Sequence, residues 1–166
     1  MSEIPEEMFD KWNGIKKKTH QEENRVGFKE REIFWVRLGQ NVGAEEFGKG
    51  HEFQRPVLIV RKLTHRVFFG IPLTSTIKDN DYFHSFTYRS KKGLITNSAM
   101  ILQLRVFDKN RLMGRMGMIN KNEFIKIKKK ITHLFIPQEK PVGLPEGELH
   151  SNCNTTLFQN QGVENE

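Results

Sequence analysis

The sequence contains one cysteine, Cys153, and no long apolar segment. A single cysteine excludes an intrachain disulfide and any cysteine-based metal cluster. The longest apolar run covers residues 56–60, whereas a membrane-spanning helix needs about 20 such residues. The first residues lack the charged segment followed by an apolar stretch that marks a secretory signal. From these absences we predict a cytoplasmic protein without a membrane segment.

Common catalytic signatures are also missing from the sequence. There is no HExxH motif, no cysteine and histidine spacing typical of zinc, no Walker loop and no dinucleotide fingerprint. The six histidines are scattered along the chain. We therefore predict no metal and no other cofactor.

The charge of the 166-residue chain is concentrated in its middle. The net charge is +7, but residues 31–133 carry 20 Lys and Arg against eight Asp and Glu, a net +12. The flanking segments are acidic, with −1 over residues 1–30 and −4 over residues 134–166. A basic core of this kind favours a polyanionic partner, of which nucleic acid is the most common. An ordinary solvated surface is the alternative.

Hydrophobic periodicity predicts two helices around a set of short strands. Met8, Trp12 and Ile15 form one apolar face of a helix over residues 5–19. Asn120 and Glu123 have the spacing of a capping box at the start of a second helix. Strands are predicted over residues 33–38, 56–61, 66–73, 82–88, 100–105 and 115–119.

Several short strands with one long loop, over residues 39–54, are typical of a small barrel or a strongly bent sheet. We predict a mainly β fold with helices, in the α+β class. Three segments are expected: an N-terminal helix and connector over 1–30, a barrel domain over 31–136, and an acidic, flexible tail over 137–166.

Two strand ends carry residues that could grip a phosphate. Arg55 immediately precedes Pro56 and a buried strand, and its guanidinium suits a bidentate phosphate contact. Thr74 and Ser75 follow another strand and offer hydroxyl groups. Taken alone, these residues could equally be a surface arginine and ordinary turn chemistry.

Four segments occur in a characteristic order along the chain: 32–38 with 42–45, then 55–60, 73–75 and 101–112. The most specific of them has an apolar strand followed by Gln-x-Arg-x-x-Asp-x-x-Arg-Leu. In this order the segments resemble the MazF/PemK toxin family, the endoribonuclease half of bacterial toxin–antitoxin pairs. The resemblance extends from about Arg31 to Leu134.

The resemblance implies an SH3-like barrel of the MazF/PemK/CcdB type with a C-terminal helix, in a homodimer. It also implies metal-independent cleavage of single-stranded RNA, with the 2′-hydroxyl attacking the adjacent phosphate. Arg55 matches the catalytic arginine of the family and Thr74 its catalytic threonine, with Ser75 beside it. A cognate antitoxin, and operator DNA bound together with it, are the implied partners. The alternatives are a non-catalytic nucleic-acid-binding module of the same fold and a toxin that acts on DNA gyrase.

Two departures from the family bear on proton transfer. Leu102 stands where members often have an acidic residue before the glutamine, and the loop before Arg55 looks longer than usual. His51 in that loop could supply the general base or acid, because its ordinary pKa lies near neutrality. A solvated polar loop is the alternative.

Further residues of the basic core could bind RNA. Within the matching segments we assign Glu45 and Gln103 to substrate binding. Aromatic side chains that could stack on bases are Phe47, Phe53 and Tyr82. Basic side chains that could guide the RNA backbone are Lys49, Arg61, Lys78, Arg89, Lys91 and Lys92.

Overall fold

The computed structural model describes residues 5–136. Along the sequence, the strands lie between two helices, α1 (Glu6–Gln21) and α2 (Lys121–Phe135). Short 3₁₀ turns precede and follow the sixth strand. The strands are β1 (Glu32–Arg37), β2 (Gln54–Lys62), β3 (Val67–Thr74), β4 (Phe83–Ser90), β5 (Gly93–Met100), β6 (Arg105–Asp108) and β7 (Leu112–Met118).

Six of the strands close into an antiparallel barrel. Their order is β2-β1-β7-β4-β5-β3, and β3 pairs again with β2 to close the ring. The short β6 pairs with the first half of β3, whose last two residues pair with β5. The predicted mainly β fold with two helices is confirmed.

One predicted strand, over residues 100–105, is wrong. Met100 ends β5, residues 101–103 form a 3₁₀ turn, and Arg105 begins β6. The sequence analysis missed β5 itself, because Asn97 and Ser98 are polar and yet buried inside the barrel. Their burial removes the alternation by which a strand is recognised.

The core consists of two clusters of apolar side chains on either side of β2. Leu58 and Val60 belong to the cluster that includes Phe124 and Ile127 of α2. Val57 and Ile59 belong to the other cluster, with four phenylalanines. Because β2 is buried on both faces, its sequence is continuously apolar rather than alternating.

Helix α2 begins as its sequence predicts. The Asn120 side chain accepts a hydrogen bond of 2.9 Å from the backbone N–H of Glu123. The Glu123 carboxylate in turn lies 2.7 Å from Nε2 of the buried His84 on β4. This contact fixes the start of α2 against the barrel.

Helix α1 packs on the barrel through Trp12. The indole lies against Gly39, where any Cβ would come within 2.3 Å of the ring. It also contacts Phe53, with 5.7 Å between ring centroids. Phe53 is therefore buried, and the suggestion that it stacks on RNA bases is wrong. The predicted helix over residues 5–19 is confirmed, with two more residues at its end.

Neither described helix has the length and apolar character that crossing a bilayer requires. The acidic tail expected over residues 137–166 lies outside the described residues.

Candidate active site

Arg55 lies near the start of β2, opposite Val36 of β1, with only 7% of its surface exposed. Its Nε donates a hydrogen bond of 2.9 Å to the carbonyl of Phe47, and its Nη1 donates one of 3.3 Å to the carbonyl of Leu73. Its Nη2 forms an ion pair with the carboxylate of Glu46. Burial lowers the pKa of Arg55, and the charge of Glu46 opposes this shift. The side chain is still a cation near neutral pH, because arginine normally loses its proton only above about pH 12.

Thr74 ends β3 one residue beyond the carbonyl that Arg55 contacts. Its Oγ1 accepts a hydrogen bond of 3.2 Å from the backbone N–H of Thr76. This bond orients the hydroxyl through its acceptor side and leaves the O–H proton to be donated. Thr74 is half-buried, whereas Ser75 is exposed. The structure therefore brings Arg55 and Thr74 to the same strand end.

Two buried residues of β5 support this strand end. The Asn97 amide donates 3.2 Å to the carbonyl of Thr74 and accepts 3.1 Å from the hydroxyl of Tyr88. Ser98 pairs with Thr74 across the strands, and its hydroxyl accepts 2.8 Å from the backbone N–H of Lys78. Sequence reasoning missed both residues together with β5. The two residues between Ser90 and Gly93 are both lysine and do not match the glycine-containing pairs that indicate a two-residue hairpin turn, so the local sequence carried no clear signal for β5.

The long loop between β1 and β2 is fastened to the barrel by Gln103. The Gln103 amide accepts a hydrogen bond of 3.0 Å from the backbone N–H of Glu46 and donates one of 3.1 Å to the carbonyl of Ala44. Glu45 is exposed and accepts a 3.4 Å hydrogen bond from the backbone N–H of Val42. Glu46, which the sequence analysis did not single out, is thus the loop carboxylate that reaches Arg55.

His51 lies on an exposed turn that is closed by the backbone pairing of Lys49 with Gln54. Among residues 5–136, no hydrogen bond or ion pair joins its side chain to Arg55 or Thr74. Its neighbour Glu52 pairs instead with Arg37, at 3.0 Å. The structure does not bring His51 into contact with the other candidate residues.

The candidate basic residues are exposed but dispersed. Lys78 lies beside the site, since its backbone contacts Ser98 and its ammonium group lies 5.0 Å from the centre of the Phe83 ring. Arg89 lines a separate cavity with Lys91, beside β7. Lys49 and Arg61 are exposed on the β1–β2 loop and on the second half of β2. Of these five, Lys78 is the one whose backbone hydrogen-bonds to the residue that pairs with Thr74.

The described part of the chain has no cluster of three or more histidine, cysteine or carboxylate side chains arranged to hold a metal ion. The polar side chains at this strand end are the guanidinium of Arg55, paired with the carboxylate of Glu46, and the hydroxyl of Thr74, one residue beyond the Leu73 carbonyl. Such a set can bind an oxyanion, donate hydrogen bonds to it and accept a proton.

Residues 29–135 match the family described as "PemK-like, MazF-like toxin of type II toxin-antitoxin system". No match was found among curated proteins. Among solved structures, an "Endoribonuclease in complex with its cognate antitoxin from Mycobacterial species" is 15% identical with a TM-score of 0.51. The alignment covers 67% of this chain and 98% of that one.

A second solved structure, MazF from Deinococcus radiodurans, is 16% identical with a TM-score of 0.51. Its alignment covers 64% of this chain and 94% of that one. At this identity the likeness concerns the fold, and it agrees with the barrel described above. Helix α1 precedes the family match, which begins at residue 29.

Proposed function

The chain belongs to the family of PemK-like, MazF-like toxins of type II toxin–antitoxin systems, and we propose that it cleaves single-stranded RNA. The observation that carries this proposal is the buried Arg55 guanidinium, held by two backbone carbonyls at the strand end that Thr74 occupies. The two carbonyls keep the guanidinium in place when an oxyanion forms beside it, so that only the Glu46 carboxylate must move.

The proposed reaction is a transesterification within the RNA. The 2′-oxygen forms a bond to the adjacent phosphorus, and the bond from phosphorus to the 5′-oxygen of the next nucleotide breaks. A base takes the proton of the 2′-hydroxyl, and the leaving 5′-oxygen receives a proton. The products are a 2′,3′-cyclic phosphate and a 5′-hydroxyl, and no water enters this step.

Arg55 stabilises the negative charge that grows on the non-bridging oxygens, and Thr74 adds a hydroxyl donor. Arg55 now pairs with Glu46, so the scissile phosphate replaces the Glu46 carboxylate at Nη2. Because phosphate and carboxylate bind a guanidinium in similar geometry, this exchange keeps the charge of Arg55 neutralised.

Once displaced from Arg55, the Glu46 carboxylate lies beside the reacting atoms. It is then positioned to take the proton of the 2′-hydroxyl, the role for which Leu102 offers no group. Gln103 holds the backbone of Glu46 and so limits how far the carboxylate moves. His51 is the competing base, and it would need a rearrangement of its exposed turn to reach the site.

We also propose the partners that follow from the family. The mycobacterial relative is described in complex with its cognate antitoxin, so this chain is expected to bind an antitoxin, together with operator DNA. A homodimer and a cytoplasmic location, where RNA is accessible, complete the proposal.

The test is to incubate defined single-stranded RNAs with the full chain in excess chelator and to map the new ends. Discrete cuts with 2′,3′-cyclic phosphate and 5′-hydroxyl ends are expected. Ends bearing a 5′-phosphate would contradict the mechanism. RNA that is bound but never cut would favour the non-catalytic binding module, and trapped gyrase–DNA complexes without RNA cleavage would favour the gyrase toxin.

A further inference from the structure

A second cavity lies between α1 and the barrel, about 330 Å³ in volume. Helix α1 contributes Trp12 and Lys16 to its wall. The barrel contributes Gln40 from the loop after β1, together with Arg105 and Arg111. This volume is at the lower end of the range of ligand-binding pockets. The cavity exists because α1, which precedes the family match, packs on the barrel.

Within residues 5–136, the charged side chains that line this cavity are all cations. They are Lys16, Arg105 and Arg111, and the rest of the wall is neutral or apolar and includes Trp12 and Gln40. Among the described residues, none of these three cations forms an ion pair within 4.0 Å. Arg105 and Arg111 are half-buried, whereas Lys16 is exposed. A partly buried guanidinium without a paired anion carries an unfavourable desolvation free energy, which a bound anion would offset.

The two arginines keep hydrogen-bond donors available for a ligand. Arg105 donates 3.2 Å to the carbonyl of Leu38, and Arg111 donates 2.9 Å to the carbonyl of Arg37. A guanidinium has five N–H donors, so each of the two retains others. Burial lowers the pKa of both arginines, and the charge of Arg111 lowers that of Arg105 further. Glu45 and Asp108 oppose these shifts in part, from a distance.

Gln40 gives an independent indication that the cavity takes a ligand. Its side chain lines the cavity, only 7% of its surface is exposed, and its Nε2 has no hydrogen-bond partner within residues 5–136. Buried amide donors are nearly always hydrogen-bonded in native proteins. A rotation of the amide toward the cavity would satisfy this donor with a ligand oxygen.

One loop connects this cavity to the candidate active site. The carbonyl of Leu38, at the start of the loop, accepts a hydrogen bond from Arg105. Farther along, Phe47 and Glu46 contact Arg55. A flexible polyanion that followed this loop would reach Arg105 at the start of the loop and Arg55 near its end.

We propose that the cavity between α1 and the barrel binds a backbone phosphate of single-stranded RNA, several nucleotides from the scissile phosphate. This inference rests on the proposed endoribonuclease function and assigns a role to α1. Lys16, Arg105 and Arg111 neutralise the phosphate, and Gln40 donates to one of its oxygens. A short RNA that occupies only the Arg55 site does not reach this cavity.

The test compares Lys16→Ala with Lys11→Ala, which removes an exposed lysine of the same helix that pairs with Glu7. The probes are 2′-O-methyl RNAs, which cannot be cleaved, of about four and about twelve nucleotides. Binding is measured over a range of salt concentrations. For single strands, each lost phosphate contact reduces the slope of log K against log salt by about 0.7.

With the long RNA only, Lys16→Ala is expected to reduce the slope of log K against log salt by about 0.7 and to weaken binding severalfold. Lys16→Arg should restore both the slope and the affinity, and Lys11→Ala should match the wild type.

An unchanged slope in Lys16→Ala would overturn the proposal, while cleavage by the wild type would still support the proposed function. An equal effect of Lys16→Ala on both RNA lengths, or on binding of a mononucleotide alone, would assign the cavity to a free nucleotide instead. Failure of the wild type to bind or cut any RNA would contradict the proposed function itself.

Discussion

Two regions of this molecule that hold buried or half-buried arginines differ in how the guanidinium charge is neutralised. At the strand end of β2 and β3, Arg55 has two backbone carbonyls and the carboxylate of Glu46. Beneath α1, Arg105 and Arg111 have backbone carbonyls and, within residues 5–136, no paired carboxylate. In the first region, the Glu46 carboxylate occupies the position that we propose for the substrate phosphate. In the second region, we propose that a bound phosphate supplies the anion.

The difference matters because the two regions carry different parts of the proposed reaction. Exchange of one carboxylate for a phosphate at Arg55 keeps the number of paired charges constant. Binding of a phosphate beneath α1 adds an ion pair, since Arg105 and Arg111 form none with the residues that the structure describes. Substitutions near Arg55 are therefore expected to affect cleavage itself, and those beneath α1 to affect RNA affinity or the docking of the helix.

The largest effect is expected from Arg55→Ala. Loss of one fixed donor to a developing oxyanion lowers kcat by about 10²–10³-fold. Arg55→Lys should recover only part of the rate, because an ammonium group cannot donate in the same forked geometry. Cleavage rates on one defined RNA provide the measurement, with circular dichroism to verify the fold.

The control for this prediction is Arg25→Ala, which removes an exposed arginine outside both regions. Its cleavage rate should equal that of the wild type. If Arg55→Ala cleaved at the wild-type rate, Arg55 could not be the group that stabilises the reacting phosphate.

Trp12→Ala should lower the free energy of unfolding, because Trp12 anchors the helix that covers the second region. Removal of a buried aromatic side chain costs about 3 kcal/mol in the free energy of unfolding, and Trp12 holds α1 against Gly39 and Phe53. Urea denaturation of the wild type and the variant gives this difference. Phe9→Ala, on the exposed side of the same helix, is the matched control and should change the free energy by less than about 0.5 kcal/mol. Equal losses in the two variants would show that Trp12 does not anchor the helix.

Thr74→Val should separate the two hydroxyl residues beside Arg55. Valine keeps the shape of threonine and removes one hydrogen-bond donor, which corresponds to about a tenfold loss of cleavage rate. Ser75→Ala should cost less, because Ser75 is exposed and Thr74 is half-buried. A larger loss for Ser75→Ala would transfer the donor role to Ser75.

The smallest effect concerns acid stability, which originates away from both arginine regions. The pKa of Glu123 is lowered by hydrogen bonds from Lys126 and from His84, against the opposing effect of burial. A carboxyl whose pKa is lower in the folded state stabilises the protein above its unfolded pKa. That stabilisation is lost as the pH falls through the folded pKa.

Glu123→Gln should therefore lower the free energy of unfolding by about 1 kcal/mol at neutral pH, and the difference should vanish in acid. Thermal melts at several pH values would show this convergence. Glu7→Gln, at an exposed position on α1, should leave the profile unchanged. A gap between wild type and Glu123→Gln that stays constant down to strongly acidic pH would contradict the assigned ion pair.

Much of the fold could be predicted from local patterns. The apolar run of β2, the amphipathic face around Trp12 and the capping pair Asn120 and Glu123 each depend on neighbours a few residues apart. Strand β5 could not be predicted in this way, because Asn97 and Ser98 are buried by partners on β3 and β4. The same limit explains why Glu46 was overlooked: its pairing with Arg55 depends on how a long loop folds back.

The sequence by itself determined the basic core, the positions of most strands and the presence of Arg55 and Thr74 at two strand ends. These features follow from composition and from periodicities of a few residues. Only the tertiary structure decided which carboxylate meets Arg55, how Asn97 supports Thr74, and that α1 encloses a cavity with Arg105 and Arg111. The physical reason is that these contacts join residues distant in the chain, and barrel closure and helix packing alone set the distances between them.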